Sequence, residues 1–141
     1  MMTTAAIEIN TDRSRLDIAY IHRTLSEECY WAIGRSRAIV EKSIANSLCF
    51  GMYDGHWQIG FARVVTDYAT FAWLCDVFID TAFRGQNLGK RLVEAVVAHP
   101  ELKGMRNFIL ATRDAHELYR RYGGFQALSA PDRWMARPRK E

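Results

Sequence analysis

At 141 residues the chain has the length of one domain, and 49% hydrophobic against 25% charged residues is a globular composition, which excludes a disordered or fibrous chain. A formal net charge of +3 is too small to argue for nucleic acid without basic residues gathered on one face. The one dense basic run, Arg133 to Lys140, reads as a solvated tail.

The N-terminus has no basic start followed by an apolar run, so it is not read as a secretory signal. Ile7 and Ile9 alternate with polar residues and predict a first short strand. Ile18, Ile21 and Leu25 recur at helical spacing within a helix predicted over Leu16 to Leu25. A second helix is expected over Arg37 to Asn46, with Ile39, Val40 and Ile44 inward. The period then changes. Leu48 to Tyr53 and Trp57 to Val65 are β-rich runs joined by Asp54-Gly55, which suits a type I′ hairpin. Thr70 to Ile79 is rich in Phe, Trp, Val and Ile with little alternation, as expected of a strand buried on both faces.

A third helix is expected from Asn87 to Ala98, with Leu88, Leu92 and Val96 in one line, stopped by His99-Pro100. Phe108 to Thr112 reads as a strand. Asp114 and Glu117 predict a capped fourth helix that leaves through Gly123-Gly124. Phe125 to Leu128 and Arg133 to Ala136 are candidate final strands. This order is a mixed α/β sheet and alternates too little for a doubly wound parallel one. No repeat or Pro/Gly-rich linker marks a boundary, so residues 1–141 are expected to form a single domain. Cys29, Cys49 and Cys75 are odd in number and form no CxxC pair. They suggest neither a disulfide frame nor a zinc site, and read as small hydrophobes in a reducing, cytoplasmic compartment. No stretch approaches the ~20 apolar residues of a membrane-spanning helix.

The chemistry concentrates in Val77 to Leu92, where a buried strand runs through a Gly-containing turn into an amphipathic helix. Unpartnered N–H groups at a helix start, with the macrodipole, make an anion site that suits phosphate. Gly85 and Gly89 let backbone approach the anion, and Arg84, Lys90 and Arg91 add positive charge.

Arg84-Gly85-Gln86-Asn87-Leu88-Gly89 resembles the pyrophosphate loop of the GNAT superfamily of N-acetyltransferases, Arg/Gln-x-x-Gly-x-Gly/Ala between a strand and a helix. Asn87 stands where the family usually has glycine, and asparagine tolerates the left-handed backbone that such a loop needs. The resemblance extends to a later helix that ends Tyr-x-x-x-Gly-Phe, here Tyr119 to Phe125 with one extra residue at the corner. It covers about Leu48 to Phe125 and is faint before that. It implies a mostly antiparallel, twisted central sheet of six to seven strands with a splayed parallel pair, flanked by about four helices. It further implies acetyl-CoA as co-substrate. The pantetheine would pair with Val77, Phe78 and Ile79, the pyrophosphate would rest on N–H groups of about Gln86 to Arg91, and an oxyanion donor would lie near Val77. By the family pattern Tyr119 protonates the departing thiolate, although Tyr122 faces nearly the same way and could serve instead.

The reaction expected is direct transfer, in a ternary complex, to a primary amine of a small molecule or peptide. The amine must lose a proton, and Asp76 is the one carboxylate in the buried strand and the first candidate base. It could equally cap backbone or bind the substrate's ammonium; Asp67 and Glu27 are weaker alternatives. A covalent route through Cys75 is not expected, because strand neighbours point to opposite faces and Asp76 would not activate it. Glu27, Tyr30, Trp31 and Tyr68 are the candidate acceptor-binding residues, an acidic and aromatic patch that could attract a cation. The family's habit of pairing leaves a homodimer open. The rival readings are a non-catalytic acyl-CoA sensor and a nucleic-acid module using the basic tail.

Overall fold

The computed structural model describes residues 6–140. Five strands form one sheet in the order β1-β2-β3-β4-β5: Ile7–Asn10, Leu48–Asp54, Trp57–Thr66, Phe71–Ile79 and Asn107–Leu110. The first four are antiparallel, and β5 runs parallel to β4. Four α-helices complete the mixed α/β architecture: α1 Ile18–Glu28, α2 Arg37–Ala45, α3 Leu88–Ala98 and α4 His116–Gly123.

Each face of the sheet buries one helix pair. Ile21 and Leu25 of α1 and Val40 and Ile44 of α2 pack on Phe61 and Phe78. Leu88, Leu92, Val93 and Val96 of α3 and Tyr119 of α4 pack on Phe50, Val64 and Leu74. Local chemistry sets the helix starts. The Asp17 side chain accepts from Tyr20 N at 3.0 Å, and Ser36 from Ile39 N at 3.2 Å. Inward positions on α2 are Val40 and Ile44, four residues apart; Ile39, expected inward, is 56% exposed.

Several expectations are corrected. Phe125 to Leu128 and Arg133 to Ala136 form no strand, so among the described residues the sheet has five strands rather than six or seven. A 3-10 turn, Pro131–Arg133, intervenes, and residues 131–140 are exposed. With no apolar face to bury and a proline that lacks an N–H, nothing holds this segment in a ladder. The β2–β3 hairpin turns on Gly55-His56 with Asp54 opposite Trp57, and only Gly55 (φ 61°) has positive φ, as type II′ requires rather than I′. Asp114 does not cap α4. Thr112 Oγ1 takes the Ala115 N–H at 3.1 Å, and Glu117 pairs with Arg120 instead.

The exit from α4 accounts for the extra corner residue. Gly124 is left-handed (φ 73°), its N–H reaches Arg120 O at 3.2 Å, and Phe125 N–H reaches Tyr119 O at 3.2 Å. A Cβ on Gly123 would come within 2.7 Å of the Phe125 ring and 3.0 Å of Val93, so glycine lets the ring fold back onto α3. Among the described residues no helix is long and apolar enough to cross a membrane.

Candidate active site

β4 and β5 begin as a parallel pair and then part. Their register runs from Phe71 opposite Asn107 to Leu74 opposite Leu110, where β5 ends, while β4 continues to Ile79. A cleft of about 1130 Å³ opens in this wedge. Val77, Phe78, Ile79, Arg84, Gly85, Asn87, Leu88, Gly89, Lys90 and Tyr119 line it, together with Asp76, Tyr30 and Trp31.

The turn at one end is built by Asp80. Its N–H bonds Ile59 O at 2.7 Å, its Oδ1 accepts from Ala82 N at 3.0 Å, and its Oδ2 accepts from Tyr20 Oη at 3.0 Å. That anchors a 3-10 turn, Thr81–Phe83, from which Gly85 (φ 82°) and Asn87 (φ 60°) lead into α3. Asn87 is therefore left-handed, as the departure from glycine required, and its side chain does not cap the helix. The N–H groups of Leu88, Gly89 and Lys90 precede the first intrahelical bond, Arg91 N to Asn87 O at 3.3 Å, and point outward from the helix start. A Cβ on Gly85 would meet nothing within 4 Å, and one on Gly89 would reach only Leu118 at 3.8 Å. The backbone is thus bare toward the cleft. Gln86 does not line the cleft, and neither does Arg91, whose guanidinium donates to Ile7 O at 3.2 Å.

At the other end, a bulge controls the geometry. Phe61 is opposite Phe78 and Arg63 opposite Cys75, so β4 carries an extra residue and Asp76 and Val77 have no register partner in β3. Asp76 has φ 52°, the left-handed conformation that a short polar side chain tolerates. Its carboxylate is buried (2% exposed) and takes three donors: Trp31 Nε1 at 2.8 Å on Oδ1, and Arg35 Nη1 and Arg63 Nε, each at 2.9 Å, on Oδ2. The bulge also puts Cys75 and Asp76 on the Arg63 side, so the strand-alternation argument against Cys75 fails. Burial supplies a different obstacle, pushing the Cys75 thiol up to about 12, where little thiolate exists near neutrality.

Tyr119 is 9% exposed, and burial, with Tyr30 and Asp114 nearby, raises its phenol to about 12. It is therefore a proton-bearing donor at neutral pH. Tyr122 also lines the cleft, with Lys90 Nζ 5.2 Å from its ring centre. Tyr30 ties the turn after α1 to the β5–α4 loop: its hydroxyl accepts from Arg113 N at 3.0 Å, and the Arg113 guanidinium carbon lies 3.7 Å from its ring centre. Trp31 packs edge-on against Tyr30, with ring centres 5.1 Å apart.

Two of the acceptor-side candidates are elsewhere. Glu27 is on the exposed side of α1, and its neighbour Glu28 lines the cleft. Tyr68 (φ 62°) belongs to the β3–β4 turn before the start of β4, outside the cleft lining. Arg35, Arg63 and Glu28 were not singled out from the sequence. Arg63 carried a signal, since a cation within Ile59-Gly-Phe-Ala-Arg-Val-Val must find a countercharge if the strand is buried. Arg35 and Glu28 carried none, because the turn after α1 that brings them inward is a tertiary feature.

The family model for the acetyltransferase (GNAT) domain matches residues 45–126. A GNAT-family protein of Xanthomonas campestris pv. campestris has a crystal structure that covers 98% of this chain and 95% of its own, with 48% identity and a TM-score of 0.91. A provisionally named acetyltransferase of Gibberella zeae is 26% identical over 152 residues, 86% of this chain and 85% of its own length. An acetyltransferase-like protein of Clostridium acetobutylicum, solved with acetyl-CoA, shares the fold at 13% identity and a TM-score of 0.68, over 94% of this chain and 96% of its own. With more than half of its length matched by that model and nearly all of it matched by a GNAT-family structure, the chain belongs to the GNAT superfamily of acetyltransferases.

Proposed function

We propose that residues 1–141 act as one cytoplasmic enzyme that transfers acetyl from acetyl-CoA to a primary amine, directly and without an acyl-enzyme. The observation that carries this reading is the bare helix start: the N–H groups of Leu88, Gly89 and Lys90, unpartnered among the described residues, open into a cleft bounded by the free edge of β4. That edge and that anion site lie end to end, as an extended pantetheine and a diphosphate would need. Acetyl-CoA supplies an activated thioester carbonyl. The chain supplies the rest.

Residues Val77 to Ile79 offer backbone groups for strand-like pairing, and the bulge frees Asp76 and Val77 from the β3 register so that a backbone donor can turn toward the reacting carbonyl. Arg84 and Lys90 add charge around the helix start. Tyr119, buried and protonated, donates to sulfur as the C–S bond breaks. A phenol held near 12 is a weaker acid than a thiol, so its role is first a hydrogen bond; the proton that reaches sulfur comes from the attacking nitrogen.

Deprotonation of the incoming ammonium is assigned to Glu28, directly or through water. Asp76 was the first candidate from sequence, but three donors occupy its two oxygens, which fits an organising role better than proton acceptance. Among the carboxylates lining the cleft, Asp114 lies 3.8 Å from Arg113, whereas Glu28 has no hydrogen bond or ion pair within the described residues.

The test is thermal stabilisation by acetyl-CoA, read beside thiol release over a panel of amines. Wild type is expected to show both. Gly89→Glu, which sets bulk and negative charge at the helix start, is expected to lose the shift. A mutant that responds like wild type would show that the phosphate site is elsewhere. A wild-type shift with no thiol release over the whole panel would favour the acyl-CoA sensor reading.

A further inference from the structure

The geometry points to an acceptor that carries a carboxylate as well as its amine, with the free N–H edge of Arg35 recognising that carboxylate. This rests on the acetyl-transfer reading above and extends it to the substrate class.

Arg35 and Arg63 both bind Asp76, and no other carboxylate pairs with either among the described residues. Asp76 offsets only one of these two guanidinium groups, so one cationic fork stays without a directly bonded countercharge among the described residues. Arg63 is spoken for: Nε is on Asp76, and Nη1 donates to Ser47 Oγ at 3.0 Å. Arg35 spends only Nη1, and it lines the cleft with 21% of its side chain exposed. The rest of its planar fork has no partner among the described residues. Such a fork pairs bidentately with the two oxygens of a carboxylate.

The fork is also held in place before any ligand arrives. Asp76 fixes one edge, and the turn that carries Arg35 is closed by its own backbone: Ala32 N to Cys29 O at 2.9 Å, Gly34 N to Ser26 O at 3.0 Å, and Arg35 N to Ala32 O at 3.0 Å. His22 Nε2 lies 3.1 Å from Arg35 O. A held guanidinium loses little side-chain freedom on binding, so a substrate carboxylate gains more from it than from a free surface arginine. Opposite charge is nearby: Glu28 lines the same end and suits the ammonium of the same molecule. One anion site and one cation site in one pocket describe an amino acid or a related amino carboxylate. A second ammonium in place of the carboxylate would face the free edge of Arg35 with like charge.

The experiment compares free amino acids with their methyl esters and their decarboxylated amines as acceptors, with thiol release as readout and the acetyl-CoA thermal shift measured alongside. Wild type is expected to favour the acids by about tenfold or more in kcat/KM, the worth of one charged hydrogen-bonded contact. Arg35→Gln is expected to bring acids and esters together by raising the acceptor KM, with the acetyl-CoA shift retained. Arg35→Lys, which keeps charge but not the fork, should fall between. Arg63 and Trp31 still hold Asp76 in both variants, so the fold is not at risk from an orphaned carboxylate. Equal use of esters or amines by wild type overturns the proposal. So does a preference that survives in Arg35→Gln, a stronger preference for phosphorylated amines, or a panel in which no acid is used while acetyl-CoA still stabilises the protein. Absence of that stabilisation would instead sink the CoA site, and the acceptor proposal with it.

Discussion

Replacing Asp76 removes the carboxylate that joins the α1–α2 turn to the sheet. In Asp76→Ala, Arg63 (11% exposed) and Arg35 (21% exposed) lose their shared countercharge, and the Trp31 indole loses its acceptor. Breaking a buried ion pair from one side costs about 3–5 kcal/mol. Water reaches Arg35, so the lower part of that range applies to its share. The left-handed backbone (φ 52°) adds about 1 kcal/mol more for alanine, whose Cβ is disfavoured there. A loss of about 4 kcal/mol is then expected, a large part of the ~5–15 kcal/mol by which domains are stable. Asp76→Gly loses the same contacts without that Cβ penalty. It should be more stable than Asp76→Ala by about 1 kcal/mol, the reverse of the order at an ordinary strand position. Asp76→Asn keeps size and tolerance of the backbone, yet sets an amide N–H₂ against a guanidinium; it should lose about 1.5–3 kcal/mol. Urea unfolding with linear extrapolation ranks the three. If Asp76→Ala loses less than about 1 kcal/mol, or is more stable than Asp76→Gly, the ion pairs and the bulge do not hold the α1–α2 turn to the sheet.

Tyr53 Oη is buried with no hydrogen-bond partner among the described residues, so Tyr53→Phe should be neutral or stabilising by up to ~1 kcal/mol in the same assay; a clear loss would reveal a partner. Tyr119→Phe should lower turnover by about 10²-fold or more while the acetyl-CoA thermal shift is kept. Unchanged turnover removes Tyr119 as the donor, and because its phenol is raised to about 12, an alkaline limb well below that pH must come from another group. Asp67 accepts from the Thr70 hydroxyl and from the N–H groups of Thr70, Ala69 and Phe71, which hold its carboxyl well below the usual 3.8. Glu8, beside Arg15, and Glu117, beside Arg120, are lowered too. Lowered folded-state values mean stability that is fully present above the ordinary carboxylate range and lost as pH falls below it. Urea midpoints should therefore be level from neutrality to about pH 5 and fall below about pH 4, with a shallower fall in Asp67→Asn; an identical slope in that variant would dismiss the Asp67 turn as a source.

Residues close together in sequence determined much of this protein. The third and fourth helices, the strand before the loop and the left-handed tolerance of Asn87 follow from periodicity and backbone sterics, which act over a few residues. The phosphate-loop hexamer, with Tyr119 to Phe125, was enough to indicate the superfamily. The final strands were misread because, after Phe125 folds back onto α3, the segment to Ala136 has strand-like residues that stay largely exposed, and packing, not propensity, makes a strand. Only the tertiary structure decided the acceptor end. A single extra residue in β4 turns Asp76 toward Arg63, 13 positions away, and toward Arg35, 41 positions away. A bulge depends on the register between two strands, and a buried charge depends on which countercharges the fold brings to it. Neither is written in the residues beside it.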